Sequence, residues 1–120
     1  LMSFGFKYGL PADADMVADA RFIANPHWQE SLRAKTGNDS EVSAYVLSQP
    51  GVKDFEESYL ATLKIVLAGY RKENKRFATI AIGCTGGKHR SVALTNEIAA
   101  RLAEDADIRV AISHRDLGRE

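Results

Sequence analysis

The stretch Gly83-Cys84-Thr85-Gly86-Gly87-Lys88-His89-Arg90-Ser91 carries the residue types and spacing that could do chemistry. Its glycines let backbone N–H groups face a ligand without a Cβ in the way. Lys88 and Arg90 add positive charge, and an arginine can grip two oxygens of one anion. A helix starting at Arg90 would add unpaired N–H groups and the positive end of its dipole. These are the parts of a phosphate cradle. The ATP-binding pattern G-x-x-x-x-G-K-[ST] is absent, because His89 follows Lys88. A second pattern overlaps the first. Cys84 and Arg90 flank five residues and Ser91 follows, the C-x5-R-[ST] spacing of cysteine-dependent phosphatases. There the loop amides and the arginine bind phosphate, and a thiolate attacks phosphorus. Against that reading, Gly83 stands where the usual histidine precedes the cysteine, and no Asp can be assigned as general acid. The plainer alternative is that Cys84 is a small apolar residue ending a buried strand.

Other candidates gain meaning only by position. Asn25-Pro26-His27-Trp28 puts a polar and an aromatic group on a rigid turn, since proline disfavours helix in the residue before it. Lys7 ends a first strand, Arg21 lies within a second, and His114-Arg115 follows a last one.

The elements that must position these groups read as follows. Residues 1–8 and 16–23 read as strands, with Gly9-Leu10-Pro11 between them. Residues 28–35 read as a short helix, and residues 41–48 as another, with Asn38, Asp39 and Ser40 as N-cap types. Residues 52–72 form the clearest helix. Val52, Phe55, Tyr59, Leu63, Val66 and Tyr70 recur at three- and four-residue spacing, and Lys53, Glu56, Glu57 and Lys64 fall on a face expected to be solvated. Residues 77–82 form a short apolar run, the pattern of a buried strand. A helix over 90–104 and a strand over 108–112 complete a βαβ unit around the glycine loop. The expectation is one compact α/β domain with a mainly parallel sheet, flanking helices and a ligand site at the carboxyl edge of the strands.

Composition narrows the function. The 120 residues carry 16 Lys+Arg against 16 Asp+Glu, with 45% hydrophobic residues. That is an ordinary globular balance and excludes a uniformly basic nucleic-acid glove. The charge is uneven, however: residues 74–96 hold no acid and contain Lys75, Arg76, Lys88, His89 and Arg90. One cysteine excludes an internal disulfide and a four-cysteine metal site. No apolar run approaches bilayer length, and the first residues do not read as a signal peptide. A cytoplasmic protein is expected, with no membrane partner and no metal.

Several long, irregular stretches resemble the C-terminal domain of the RapZ (YvcJ-like) family. They are residues 3–9 (Ser-Phe-Gly-Phe-Lys-Tyr-Gly), Asp13-Ala14-Asp15, Asp19-Ala20-Arg21-Phe22, Asn25-Pro26-His27-Trp28, Thr36-Gly37, residues 81–92 around the glycine loop, and His114-Arg115-Asp116. The resemblance implies that residues 1–120 correspond to that domain. The family's nucleotide-binding P-loop domain would then lie outside this chain, and no cofactor is expected within it. It implies binding of a phosphorylated amino sugar of the glucosamine 6-phosphate kind at Asp19, His27, Cys84, Thr85, Gly86 and Arg90. It further implies an adapter that presents a small regulatory RNA to a ribonuclease. The implied RNA contacts are Lys7, His27, Thr85, Gly86, His89, Arg90, His114 and Arg115. Self-association is implied as well. The segment Arg115 to Glu120 carries two Arg, one Asp and one Glu, so its charge favours the small ligand over RNA.

Overall fold

The structure, a computed structural model, describes residues 1–119. Strand β1 (Met2–Gly5) opens the chain, and β2 (Met16–Asp19) follows. Three helices come next: α1 (Glu30–Arg33), α2 (Ser40–Leu47) and α3 (Val52–Lys72). Strand β3 (Ile80–Cys84), helix α4 (Arg90–Leu102) and strand β4 (Ser113–His114) complete the fold. The sheet order is β2-β3-β1-β4 and every pairing is parallel. Gly5 registers with Cys84, and Asp19 with Gly83. All four strands therefore end at one edge, and the loops after them share it. The βαβ unit is present with one difference: β3 and β4 do not pair with each other, because β1 lies between them.

Helix α4 packs across β3 and β1, and α2 and α3 pack on α4. Ile80 and Ile82 of β3 meet Ala93, Leu94, Ile98 and Leu102 of α4, joined by Val42, Val46, Val52 and Leu63. Side chains alternate along a strand, so Phe4 falls on the opposite face. Its ring lies so close over Gly83 that a Cβ there would sit 2.4 Å from Phe4 Cζ. Phe6 stacks edge-on to it at 4.8 Å.

Several elements are shorter than their sequence patterns. The first strand stops at Gly5, and Phe6–Tyr8 coils into a 3-10 turn closed by Gly9 at φ 90°. The second stops at Asp19, whose carboxylate accepts the Arg21 N–H at 2.8 Å and turns the chain. Residues 26–28 form a 3-10 turn, and extended Gln29 separates it from the single turn of α1. Asp39 stands at the N-cap of α2, but its side chain accepts from Thr36 N–H instead of capping that helix. Residues 77–79 and 108–112 lie beyond the ends of their neighbours, since Met16 registers with Ile80 and Met2 with Ser113. Phe77 is accordingly 86% exposed. Glu56 departs from the expected solvated face of α3. It is buried and accepts from Arg101 of α4 at 2.9 Å.

Candidate anion-binding site

Strand β3 delivers Cys84 to the carboxyl edge of the sheet, and residues 85–89 turn the chain into α4. The loop is seated by backbone-to-backbone packing. A Cβ at Gly5 would lie 2.5 Å from Gly86 C, and one at Gly37 2.5 Å from Ala93 N. Gly87 has φ +76°, and a Cβ there would meet Gly5 N at 2.7 Å. Lys7 N–H donates to Thr85 O at 3.2 Å, and Gly37 N–H to Lys88 O at 2.9 Å.

Asp116 sits beneath this junction with 1% exposure. Its carboxylate accepts from Gly5 N–H at 2.7 Å and from Arg115 and Arg119 at 2.9 Å. Burial pushes the Asp116 carboxyl up. The Arg115, Gly5 and Arg119 donors outweigh it, and the group is held below the usual aspartate range. A charged carboxylate thus braces the strand end on which the loop rests.

Arg90 is the first residue of α4 and is only 5% exposed. Nη1 donates to Arg21 O at 3.1 Å and to Ile23 O at 3.0 Å, and Nη2 donates to Thr85 Oγ1 at 3.2 Å. A guanidinium has five N–H donors. Three are committed within the described residues, and Arg90 is among the residues that line the cavity. His89 gives α4 no side-chain cap, so the first N–H groups of that helix keep their capacity to bind an anion.

The cavity has a volume of about 290 Å³. Cys84, Thr85, Gly86 and Arg90 line it on the loop side, together with Lys7, His27, Trp28 and Lys88. Asn25 Oδ1 accepts from His27 N–H at 3.0 Å, and Arg33 Nε donates to His27 O at 2.8 Å. The Arg33 carbonyl in turn accepts from Lys88 Nζ at 2.9 Å and lies 3.3 Å from His89 Nε2. Cys84 Sγ is buried and donates to Ser91 Oγ at 3.1 Å.

Seven of the residues singled out in the sequence, Lys7, His27, Cys84, Thr85, Gly86, His89 and Arg90, therefore meet around one cavity. Three others stand apart from its wall. Asp19 lies at the end of β2, where Arg21 engages both carboxylate oxygens. Arg21 holds the Asp19 carboxyl below its ordinary range against the opposing effect of burial. His114 bridges Ser3 Oγ at 2.7 Å and Asn96 Oδ1 at 3.0 Å, and burial lowers its pKa. Arg115 is tied to Asp116 and to Gly9 O at 2.6 Å.

The acid-free stretch is also divided. Lys75 pairs with Asp15, and Arg76 lines a separate groove of about 610 Å³ at the far edge of the sheet. Strand β3 lies between these two cations and the loop, about 3.3 Å per residue. Of the basic residues of that stretch, Lys88, His89 and Arg90 reach the cavity, and Lys75 and Arg76 do not. The larger groove is walled partly by Phe77, Ile108 and Ile112 and has no glycine loop. Sequence reasoning missed Asp116, Gly5 and the Arg33 carbonyl: Gly5 and Arg33 act through backbone atoms that carry no residue-type signature, and the Asp116 carboxylate meets its Gly5 partner only through the fold.

A family model described as the RapZ C-terminal domain matches residues 1–118. A nucleotide-binding protein of Mycobacteroides abscessus is 62% identical over 118 residues, covering 98% of this chain and 39% of that protein. One of Streptomyces coelicolor is 58% identical over 120 residues, covering all of this chain and 40% of that protein. One of Leifsonia xyli is 62% identical over 120 residues, again with full coverage here and 41% there. The chain spans about two-fifths of the length of these curated relatives.

Proposed function

The chain belongs to the RapZ C-terminal domain family, and from that membership we propose that it is a regulatory domain that binds a phosphorylated amino sugar. The phosphate sits on the Thr85-Gly86 amides and the start of α4. One observation carries the reading: Arg90 is buried, fixed by three hydrogen bonds, and lines the cavity at the start of α4. An arginine held this way is ready to grip an anion without losing side-chain freedom on binding. Lys88 and Lys7 in the lining add long-range attraction.

The name borne by the relatives, nucleotide-binding protein, describes whole proteins of which this chain matches about two-fifths. By resemblance to the family, the same cavity is proposed to contact a small regulatory RNA offered to a ribonuclease, in an assembly of several copies. Lys7, His27, His89 and Arg90 would meet phosphates directly. His114 and Arg115 would act behind them, through the sheet and Asp116.

The proposed role is binding, not turnover. Cys84 has the C-x5-R spacing of a nucleophile, but its thiol is buried and donates to Ser91. Attack on phosphorus needs an accessible thiolate.

Calorimetry with glucosamine 6-phosphate tests the binding reading. Arg90→Ala is expected to weaken binding at least tenfold, and Thr85→Val to weaken it less. Equal affinity in wild type and in folded Arg90→Ala refutes the site. Hydrolysis of an aryl phosphate by wild type, lost in Cys84→Ser, would establish the phosphatase alternative.

A further inference from the structure

At the edge of the sheet opposite the anion site, the strand in the middle falls short. β1 lies between β3 and β4 and begins at Met2. Both neighbours run on past it, as residues 77–79 and 108–112, which form neither helix nor turn. The groove of about 610 Å³ lies between these two overhangs, with Leu1 and Met2 at its head. Two strands that flank a third stand two strand spacings apart, about 9.6 Å. That is room for one strand and no more.

The hydrogen-bond ladder already enters this space. The Leu1 amino group donates to Ala111 O at 2.7 Å, and Leu1 O accepts from Ser113 N–H at 2.9 Å, so Leu1 pairs toward β4. Successive residues of a strand inside a parallel sheet pair with alternate neighbours. A residue one step ahead of Leu1 would face Ala78 O on the β3 side. A residue two steps ahead would face Arg109 O and Ala111 N–H on the β4 side. None of these three groups has a backbone partner among the described residues, and such a row is a template for another strand. The core is open at the same place. Leu1, Leu67, Ile108 and Val110 pack against it but are only partly buried. A small ligand would leave both backbone walls unpaired, whereas a strand satisfies them.

The chain matches about two-fifths of the length of its relatives, and the family model it matches is that of a C-terminal domain. In those proteins further chain leads into the position of Leu1. We propose that the groove is a strand-binding slot, and that its occupant is the segment leading into β1 in the longer proteins of this family. Continuing the register of Met2 with Ala81 sets that segment opposite residues 79, 78 and 77. It runs parallel to β3 and β4, and its residue two steps ahead of Leu1 lays an apolar side chain beside Val110 and Leu67.

Hydrogen exchange read by NMR tests the proposal, on this chain and on the whole Leifsonia xyli relative. The Ala111 amide is expected to exchange about a hundredfold faster here than its counterpart in the relative. In the relative, proline placed two steps ahead of the Leu1 counterpart cannot donate within a central strand and should make that amide fast again, while valine there keeps it slow. Adding Thr-Val-Thr ahead of Leu1 in this chain should slow Ala111 exchange and raise the Tm, and adding Thr-Pro-Thr should do neither.

Equal exchange in this chain and the relative overturns the proposal. Protection in the relative that survives the proline overturns it too, because some other surface then covers the groove. Ala111 exchange that slows as the concentration of this chain rises overturns it in favour of a second copy. Thr-Val-Thr that protects no better than Thr-Pro-Thr refutes the slot itself.

Discussion

Replacing Gly5 by alanine tests whether the loop is held in shape by the strand beneath it. The added methyl carbon would lie 2.5 Å from Gly86 C, 2.6 Å from Gly86 O and 2.9 Å from Gly87 N, where ordinary contact begins at 3.4 Å. All three atoms belong to backbone, so no side-chain rotation relieves the clash. The loop must retreat by about 0.9 Å from β1. Overpacking of this size costs about 2 kcal/mol. A domain of this length changes stability by roughly 0.25 kcal/mol per degree near its midpoint, so the Tm should fall by about 8 °C. The Lys7 to Thr85 hydrogen bond, already 3.2 Å long, should break. Phosphate affinity should drop more than tenfold, because the Thr85-Gly86 amides move away from Arg90. Gly69 serves as the internal control. A Cβ there meets nothing within 4 Å, and it lies inside α3. Gly69→Ala should therefore raise stability by about 0.5–1 kcal/mol and leave binding alone. Differential scanning calorimetry and isothermal titration on the two variants decide the matter. A Gly5→Ala protein with wild-type Tm and wild-type phosphate affinity would refute the argument that this contact shapes the loop.

Four further outcomes are expected. Thr95 is fully buried with a hydroxyl that has no partner among the described residues, so Thr95→Val should raise stability by about 1 kcal/mol in urea titrations. Burial, aided by repulsion from Glu97, raises the Glu56 pKa against the pull of Arg101. The folded state then holds a proton that the unfolded state has released, and stability falls as pH rises above 4.5 toward the folded value. Glu56→Gln should remove that decline. Asp116 has the opposite sign. Its carboxyl is held below 3.8, so its contribution is complete above that pH and disappears as pH falls through the lower folded value, and Asp116→Asn should flatten the acid limb of denaturation. For RNA, a gel-shift titration against salt should show an affinity that weakens with ionic strength. Removing Lys7 should reduce the slope by about one unit, and no shift of any structured RNA at low salt would count against RNA binding.

What the sequence made legible was whatever local chemistry decides. The period of α3 gave its limits as residues 52–72, matching Val52–Lys72. The apolar run before Gly83 and the glycines after it located the loop, because a strand that ends in such residues has few alternatives. The parallel direction of β3 and β4 then follows from strand, helix and strand in series, although β1 lies between them. Distant partners were not legible. Asp19 draws attention as a carboxylate near the site, yet its neighbour Arg21 two residues on takes both oxygens. Residues 108–112 have the composition of a strand, but the pairing with β1 starts only at Ser113, and Ala111 O meets no more than the Leu1 amino group. The acid-free stretch looked like one basic patch, although its own strand separates the two ends. Arg33 gave no signal, since its contribution to the loop is a carbonyl oxygen that every residue has.

That carbonyl makes the end of α1 a spacer between the two walls of the cavity. Arg33 reaches back to His27 through Nε and across to Lys88 and His89 through its oxygen. The grip on the loop depends on where the backbone ends, while the reach to His27 needs only a donor of sufficient length. Across the evolution of this surface, substitutions at the exposed positions 29–31 that keep the single helical turn should be tolerated, while Leu32 is held in the core. An insertion or deletion of even one residue between His27 and Arg33 would rotate the carbonyl away from Lys88 and separate the aromatic side of the cavity from its loop side. Drift in this domain is thus free in composition and fixed in length along that short stretch of chain.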